Sequence, residues 1–335
     1  MENKVLSIVV PSYNAEKFLH KGIPTFLDER ILSDIQVIIV NDGSKDSTPK
    51  IADDYKQKYP ETITVVHKEN GGHGSTINAG IEVAIGKYFC VVDADDWVDT
   101  EEFVKLIQYM KNGNSDLYLT HAAKVDPDGK VFGYERTDGL PYGKEILLTN
   151  NLDKIKRIEM HNYFIKTRIL RENKVKCHEH HFYVDMEYTL YSLMYVKTVT
   201  IYDMVVYQYL IGRDGQSVSI ESRRRNIKHY YDVVEYLADF YIKKKSEMTT
   251  SQNLHYKRRI AGFATGYYST LLSYKPSKDK KDEIRQFDNW LKNKSGDIYN
   301  ADENACVQIL RKSGFGAYKC CSWIYRWVNR KNIPD

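Results

Sequence analysis

The sequence predicts an α/β fold, a mostly parallel sheet sandwiched by helices, followed by a C-terminal helical extension. Three observations predict it. Short apolar runs alternate with amphipathic stretches through the first hundred or so residues. The runs are continuously hydrophobic rather than alternating, as in strands buried on both faces. From Arg223 onward the apolar period changes to three and four residues.

The elements follow in order. "VLSIVV" (5–10) reads as a buried strand, with a helix after it through Phe18, Ile23 and Leu27. "QVIIVN" (36–41) is a second strand. "SKDSTPKIADDYKQKY" is a helix with Ser and Asp caps and Pro49 in its first turn. "TITVVH" (62–67) is a third strand, and "GSTINAGIEVAIG" a helix ended by Gly86. "KYFCVVDA" (87–94) is the fourth strand and "TEEFVKLIQYMKN" the helix after it. Residues 116–136 read as strands around a turn at "DPDG", and 150–220 as mixed and Tyr-rich. Ile227, Tyr231, Val234, Leu237 and Tyr241 then set a helical stripe, as do Ile260, Phe263, Tyr267 and Leu271. No repeat or low-complexity linker interrupts the 335 residues, and the best boundary is the change of period near 221.

Composition narrows the function classes. Hydrophobic residues make up 42% and charged residues 28%, a globular balance that argues against wholesale disorder. A net charge of +4 is too small to imply nucleic-acid binding, but its distribution is uneven. Arg311, Lys312, Lys319, Arg326, Arg330 and Lys331 face only Asp335 in the last stretch. The cysteine count, five, is odd and includes no CxxC, which fits a reduced cytoplasmic interior. "MENKVLSIVVPSYN" lacks a signal-peptide core, and no run approaches the ~20 apolar residues of a bilayer span.

In an open parallel sheet, ligands bind beyond the carboxyl ends of the strands. Four segments meet there: "PSYNAEKF", "NDGSKDST", "KENGGHGSTINAG" and "DADDW". Asp42, one residue past a strand, can accept bonds from a ribose or a base N–H; the plainer alternative is a strand–turn–helix capped by Ser44 or Asp46. The glycines of "NGGHGSTINAG" let the backbone approach a ligand at a helix N-terminus, though the spacing is neither a dinucleotide fingerprint nor a P-loop. In "DADDW", carboxylates at Asp93 and Asp95 with Asp96 next door suit a hard cation, Mg²⁺ or Mn²⁺. Asp99 reads as a helix cap.

Together, "SIVVPSYNAEKFL", "VIIVNDGSKDST", "ENGGHGSTINAGI" and "GKYFCVVDADDW" resemble the family 2 glycosyltransferases, which have the GT-A fold. The resemblance implies an inverting transferase that takes a sugar from a nucleotide-sugar, usually UDP-linked, with a divalent metal. It implies that Pro11, Ser12, Tyr13, Asp42, Asn70, Gly72, Asn78, Asp93 and Ala94 line the nucleotide pocket. Asp95 is the implied metal ligand, with Asp96 and Trp97 near the transferred sugar. "FYVDMEYTL" resembles the family's Glu-Asp motif and makes Asp185 the general base, with Glu187 a rival. "YLIGRDGQSVS" resembles an Arg-x-x-x-Ser loop over the diphosphate, pointing to Arg213, Gln216 and Ser217.

Two positions depart from the family pattern. Thr76-Ile77-Asn78 stands where the family often has Ala-Arg-Asn, and Val184-Asp185 keeps only one acid of the Glu-Asp pair. The implied division is a nucleotide-sugar-binding half (1–125), an acceptor-binding half with the base (126–220) and a helical region with a basic aromatic tail (221–335). The implied acceptor is a hydroxyl of a cell-surface polysaccharide, glycopolymer or lipid-linked glycan. The alternatives are a nucleotide-sugar-forming nucleotidyltransferase, whose Gly-rich signature the first strand lacks, and an inactive glycan- or nucleotide-binding module. "CHEHHFYVD" (177–185) fits no common zinc spacing and reads as a polar loop. The tail "GFGAYKCCSWIYRWVNRK" reads either as an interfacial segment on anionic lipid or as a helix packed on the domain or a second subunit.

Overall fold

A computed structural model describes residues 4–155, 157–213, 215–330 and 333, so Lys331 and Asp335 of the basic tail lie outside it. The chain divides into two compact units, Met1–Arg213 and Asp214–Asp335. The strands of the first unit are β1 (Lys4–Ser12), β2 (Ile35–Asp42), β3 (Ile63–Lys68), β4 (Gly86–Val91), β5 (Trp97–Val98), β6 (Leu117–Val125), β7 (Val131–Glu135), β8 (Glu145–Leu147), β9 (Tyr163–Lys166) and β10 (Thr198–Leu210). They form one sheet in the order β3-β2-β1-β4-β9-β6-β10-β5, with β7 on β6 and β8 on β10.

The four strands read first in the sequence pair in parallel, and β2 is buried along its whole length. β-Branched side chains fill both faces there, as a helix-covered parallel sheet requires. Beyond β4 the sheet is mixed: β9 runs antiparallel to β4 and β6, while β10 is parallel to β6. The expected turn at "DPDG" joins β6 to the antiparallel β7, closed by Asp126 N donating to Lys130 O (3.0 Å).

The helices of this unit are α1 (Leu19–Gly22), α2 (Thr48–Lys58), α3 (His73–Val83), α4 (Thr100–Asn112), α5 (Thr167–Glu172) and α6 (Asp185–Leu193). The single helix expected through Phe18, Ile23 and Leu27 is instead α1 followed by a 3-10 turn, Ile23–Phe26, because Pro24 brings no N–H to continue the ladder. Helix α3 ends at Val83 rather than at Gly86, which opens β4. The cause is Arg171 on α5. Its Nε donates to Ile81 O (3.0 Å) and its Nη2 to Glu82 O (3.0 Å) and Ala84 O (2.5 Å), satisfying the terminal carbonyls without a glycine cap. Asp99 caps α4 as expected, accepting from Glu102 N (3.0 Å).

The second unit is helical: α7 (Ile220–Arg225), α8 (Ile227–Lys244), α9 (Thr250–Ser273), α10 (Lys278–Lys294), α11 (Gly296–Asn300), α12 (Ala305–Lys312) and α13 (Tyr318–Val328). Thr249 and Gln252 form a capping box at the start of α9. Val234, Leu237, Tyr241, Ile260, Tyr267 and Leu271 are buried, as their spacing predicts. Among the described residues no helix is long and apolar enough to cross a membrane.

Helix α3 rests on β1 through Gly80. A Cβ added there would lie 2.3 Å from Val9 Cγ2, so the small residue sets the spacing between helix and sheet. Gly80→Ala gains helix propensity but overpacks this contact. The expected net loss is about 1–3 kcal/mol, read from urea unfolding followed by circular dichroism.

Candidate active site

Parallel register carries four strand ends to one edge. Ser12 pairs with Asn41, Asp42 with Lys68, and Val9 with Val91, so the loops after β1, β2, β3 and β4 emerge together. Side chains tie the first two loops: Asn14 N donates to Ser44 Oγ (2.9 Å), and Lys45 N to Asn14 Oδ1 (2.9 Å). Pro11 and Ser12 are buried at the end of β1 and Tyr13 is exposed.

Asp42 organises the loop after β3. Its Oδ1 accepts from Lys68 Nζ (2.8 Å), Gly71 N (2.9 Å) and Ser75 Oγ (3.3 Å), and its Oδ2 from Gly72 N (2.8 Å). Asn70 Nδ2 adds a bond to Asp42 O (3.0 Å). The Ser75 hydroxyl also donates to Gly72 O (2.7 Å), and the Asp42 carboxylate is buried among these partners. The glycines of the loop also allow a close approach of another part of the chain. A Cβ on Gly74 would stand 2.1 Å from His178 O. Asn78 fastens the same contact, donating from Nδ2 to Cys177 O (2.9 Å) and accepting from Cys177 N (2.9 Å).

The acidic cluster after β4 is enclosed by partners. His73, first residue of α3, places Nε2 2.9 Å from Asp93 Oδ1. Burial opposes charge on Asp93, yet this bond and the charges of His73, His161 and Arg213 hold its carboxyl below the ordinary range. Asp93 N donates to Tyr207 Oη (3.2 Å), and Tyr207 Oη donates to Asp96 Oδ2 (2.6 Å). Leu210 N donates to Asp96 Oδ1 (2.8 Å). Asp96 was expected near the transferred sugar; it is only 1% exposed, and both of its oxygens are bonded to β10. Burial, then the neighbouring Asp95 and Asp93, push its carboxyl well above the ordinary value. Asp95 accepts from Arg213 Nε at 2.5 Å, and the Arg213 guanidinium lies over the Phe18 ring (5.0 Å). Ala94 is half-buried between these acids. Trp97 carries Lys21 Nζ over its ring at 3.3 Å.

Beneath the acids lies His161, in contact with the Tyr207 and Tyr209 rings (centroids 4.8 and 4.2 Å). Its Nδ1 is 3.0 Å from Glu135 Oε2. Burial alone would lower the imidazole, but the Glu135 bond and charge, with Asp96 and Asp93, push it up to about 9. Among the described residues, Asp93, Asp96 and His161 form a group compact enough for one ion, their ligand atoms lying within 4.8 Å of one another. An ion there would have to displace the proton that the Glu135 bond favours on His161. Asp95, the metal ligand implied by the sequence, lies outside this group and is paired with Arg213.

Asp185 opens α6. Burial, then Glu159, raises its carboxyl above the ordinary value, against the pull of His73 and His161. Glu187, the rival base, is fully buried, and its Oε2 accepts from His178 N (2.8 Å) with His178 Nδ1 at 3.0 Å. It anchors the 177–181 loop. Gln216 and Ser217 belong to the second unit, where Gln216 is buried and Ser217 exposed.

Pattern reading missed His73, His161, Glu135, Tyr207 and Tyr209. The one available signal was a Tyr at every second position, 207 and 209, just ahead of "IGRDGQS". All five cysteines are free.

The family model described as Glycosyl transferase family 2 matches residues 7–187, just over half of the chain. The chain belongs to glycosyl transferase family 2. Within that family it is 27% identical over 221 residues to a poly(ribitol-phosphate) beta-glucosyltransferase of Bacillus spizizenii, covering 64% of this chain and 33% of that protein. It is 40% identical over 128 residues to the uncharacterized glycosyltransferase EpsJ of Bacillus subtilis, covering 38% and 37%. It thus spans about a third of the length of these curated relatives. The fold is shared with S. aureus TarS 1–349 in complex with UDP-GlcNAc, at a TM-score of 0.67 and 19% identity, covering 96% of this chain and 92% of that one.

Two outcomes follow from this geometry. The His161 imidazole is raised from 6.5 to about 9, so the stability it contributes is complete below pH 6.5 and is lost as pH rises through 9. The unfolding free energy of wild type minus His161→Gln therefore shrinks between these two pH values, by at most about 3 kcal/mol. Tyr207→Phe removes the hydroxyl between Asp93 N and Asp96. The loss expected in chemical denaturation is about 1–3 kcal/mol.

Proposed function

We propose that this chain is an inverting glycosyltransferase that moves a sugar from a UDP-linked donor to a hydroxyl of a cell-wall glycopolymer or surface polysaccharide. The observation that carries the reading is the pairing of two environments on one sheet edge. The charged Asp93 is held by His73 next to Arg213-bound Asp95, and Asp185 has its affinity for a proton raised by burial. The first arrangement suits a donor whose diphosphate needs positive charge close by, and the second suits a base.

In the proposed reaction, Asp185 accepts the proton of the acceptor hydroxyl as its oxygen attacks the anomeric carbon. The bond to the diphosphate breaks on the opposite face, and UDP leaves with that electron pair. One displacement inverts the configuration. The Arg213 guanidinium sets fixed charge near the leaving group. Mn²⁺ or Mg²⁺ held by Asp95 supplies, when bound, further positive charge against the diphosphate. Tyr13, Asn70, Ala94 and Asp42 are proposed to meet the nucleoside, and Trp97 the sugar. Asp185 is preferred to Glu187 because the latter is sealed and committed to His178.

The donor and acceptor classes draw support from what resembles this chain. TarS structures hold UDP-GlcNAc and UDP, and a second relative is named poly(ribitol-phosphate) beta-N-acetylglucosaminyltransferase TarS.

The test is UDP release from a panel of UDP-sugars with poly(ribitol-phosphate) as acceptor and Mn²⁺ present. Asp185→Asn should lower acceptor-dependent turnover about a hundred-fold or more while leaving the donor-induced thermal shift in place. Undiminished turnover removes Asp185 as base. The acid limb of the wild-type kcat/KM profile should lie above pH 3.8, the ordinary carboxyl value from which Asp185 is raised. Chelation by EDTA should abolish release, and Mn²⁺ should restore it.

A further inference from the structure

The last helix of the second unit has two unlike faces. The inner face is committed: Tyr318, Cys321 and Ser322 are buried. Ser322 Oγ donates to Leu272 O (2.9 Å) and Tyr274 O (3.2 Å), and Arg326 Nη1 donates to Ser273 O (2.6 Å). These bonds satisfy carbonyls at the C-terminus of α9 and pin α13 across it.

The outer face is apolar and open. Trp323, Ile324, Trp327 and Val328 are 70%, 63%, 68% and 64% exposed. Their spacing puts all four in one stripe along the helix. Soluble surfaces scatter such residues singly, so two tryptophans and two branched aliphatics in one stripe mark an interaction site.

Charge identifies the occupant. Of the six Lys and Arg in the last stretch, Arg311 is paired with Asp288, Arg326 is bonded to Ser273 O and Lys331 lies outside the described residues, which leaves three cations on or beside α13. Lys312, Lys319 and Arg330 are exposed, and the Arg330 guanidinium lies 5.1 Å from the Trp327 ring. A protein partner of mixed charge leaves a one-signed rim unmatched. A layer of anionic headgroups over acyl chains matches both parts, since indoles favour the lipid–water boundary. At 11 residues α13 is too short to span a bilayer, and among the described residues no helix can.

We propose that α13 is a membrane-surface anchor that lies flat on anionic lipid, burying Trp323, Ile324, Trp327 and Val328 below headgroups bound by Lys319 and Arg330. The second unit is held at the membrane surface by a preformed face, with no folding on contact.

The test is cosedimentation of the full chain with vesicles of equimolar phosphatidylglycerol and phosphatidylcholine, against phosphatidylcholine alone. Binding should need the anionic lipid and weaken with salt. Trp323→Ala with Trp327→Ala should lower the partition coefficient about ten-fold or more. Lys319→Glu with Arg330→Glu should lower it by at least about five-fold per position. All four side chains project from the packed face, so circular dichroism and melting temperature should be unchanged. Absence of binding to the anionic vesicles overturns the proposal, as does equal binding by the double-Trp variant. A dimer in sedimentation velocity that the double-Trp variant disperses, with no vesicle binding, overturns it in favour of a second copy.

Discussion

Asp93, Asp95 and Asp96 follow one another within four residues at the end of a buried strand, two half-buried and one sealed, where water screens their repulsion only in part. The structure around them is arranged by that constraint. Each acid has a separate partner from a different element: His73 from the start of α3 for Asp93, Arg213 beyond β10 for Asp95, and Tyr207 with the Leu210 amide from β10 for Asp96. His161, itself held by Glu135, adds a positive charge below. The three carboxylates thus acquire three characters. Asp93 is kept charged, Asp96 is pushed toward its protonated form, and Asp95 is clamped by a cation.

The same arrangement separates what the sequence disclosed from what it hid. The parallel half of the sheet was legible because its strands are continuous apolar runs, and the strand ends marked the site because polar and glycine residues cluster just past them. Asp99 as a helix cap was legible for the same local reason. The mixed half was not. β9 is four residues long, and the Tyr-rich β10 owes its place to pairing with β6, a partner about eighty residues away. His161 and Glu135 come from separate segments, and no local pattern announces an ion pair across 26 positions.

Local reading disclosed only part of what the glycines meet. The loop after β3 was read as making room for a ligand, and it does bring its backbone unusually close to something. That neighbour is the 177–181 segment, a hundred residues on, which no short-range signal could reveal. The α3 terminus shows the same effect: Arg171 of α5, rather than Gly86, satisfies its last carbonyls. Tertiary partners replaced the expected caps without changing the order of elements.

The contact between Gly74 and His178 carries a consequence for sequence change in this chain. Gly71 and Asn78 hold the 177–181 segment from one side, with Gly74 packed beneath it, and Glu187 holds it from the other, two residues past Asp185. The pocket after β3 and the first turn of α6 are thus one mechanical part. A side chain at 74 would press on His178 O, and through the His178–Glu187 bonds that strain reaches the first turn of α6, so substitutions at 74 and at 187 are expected to couple.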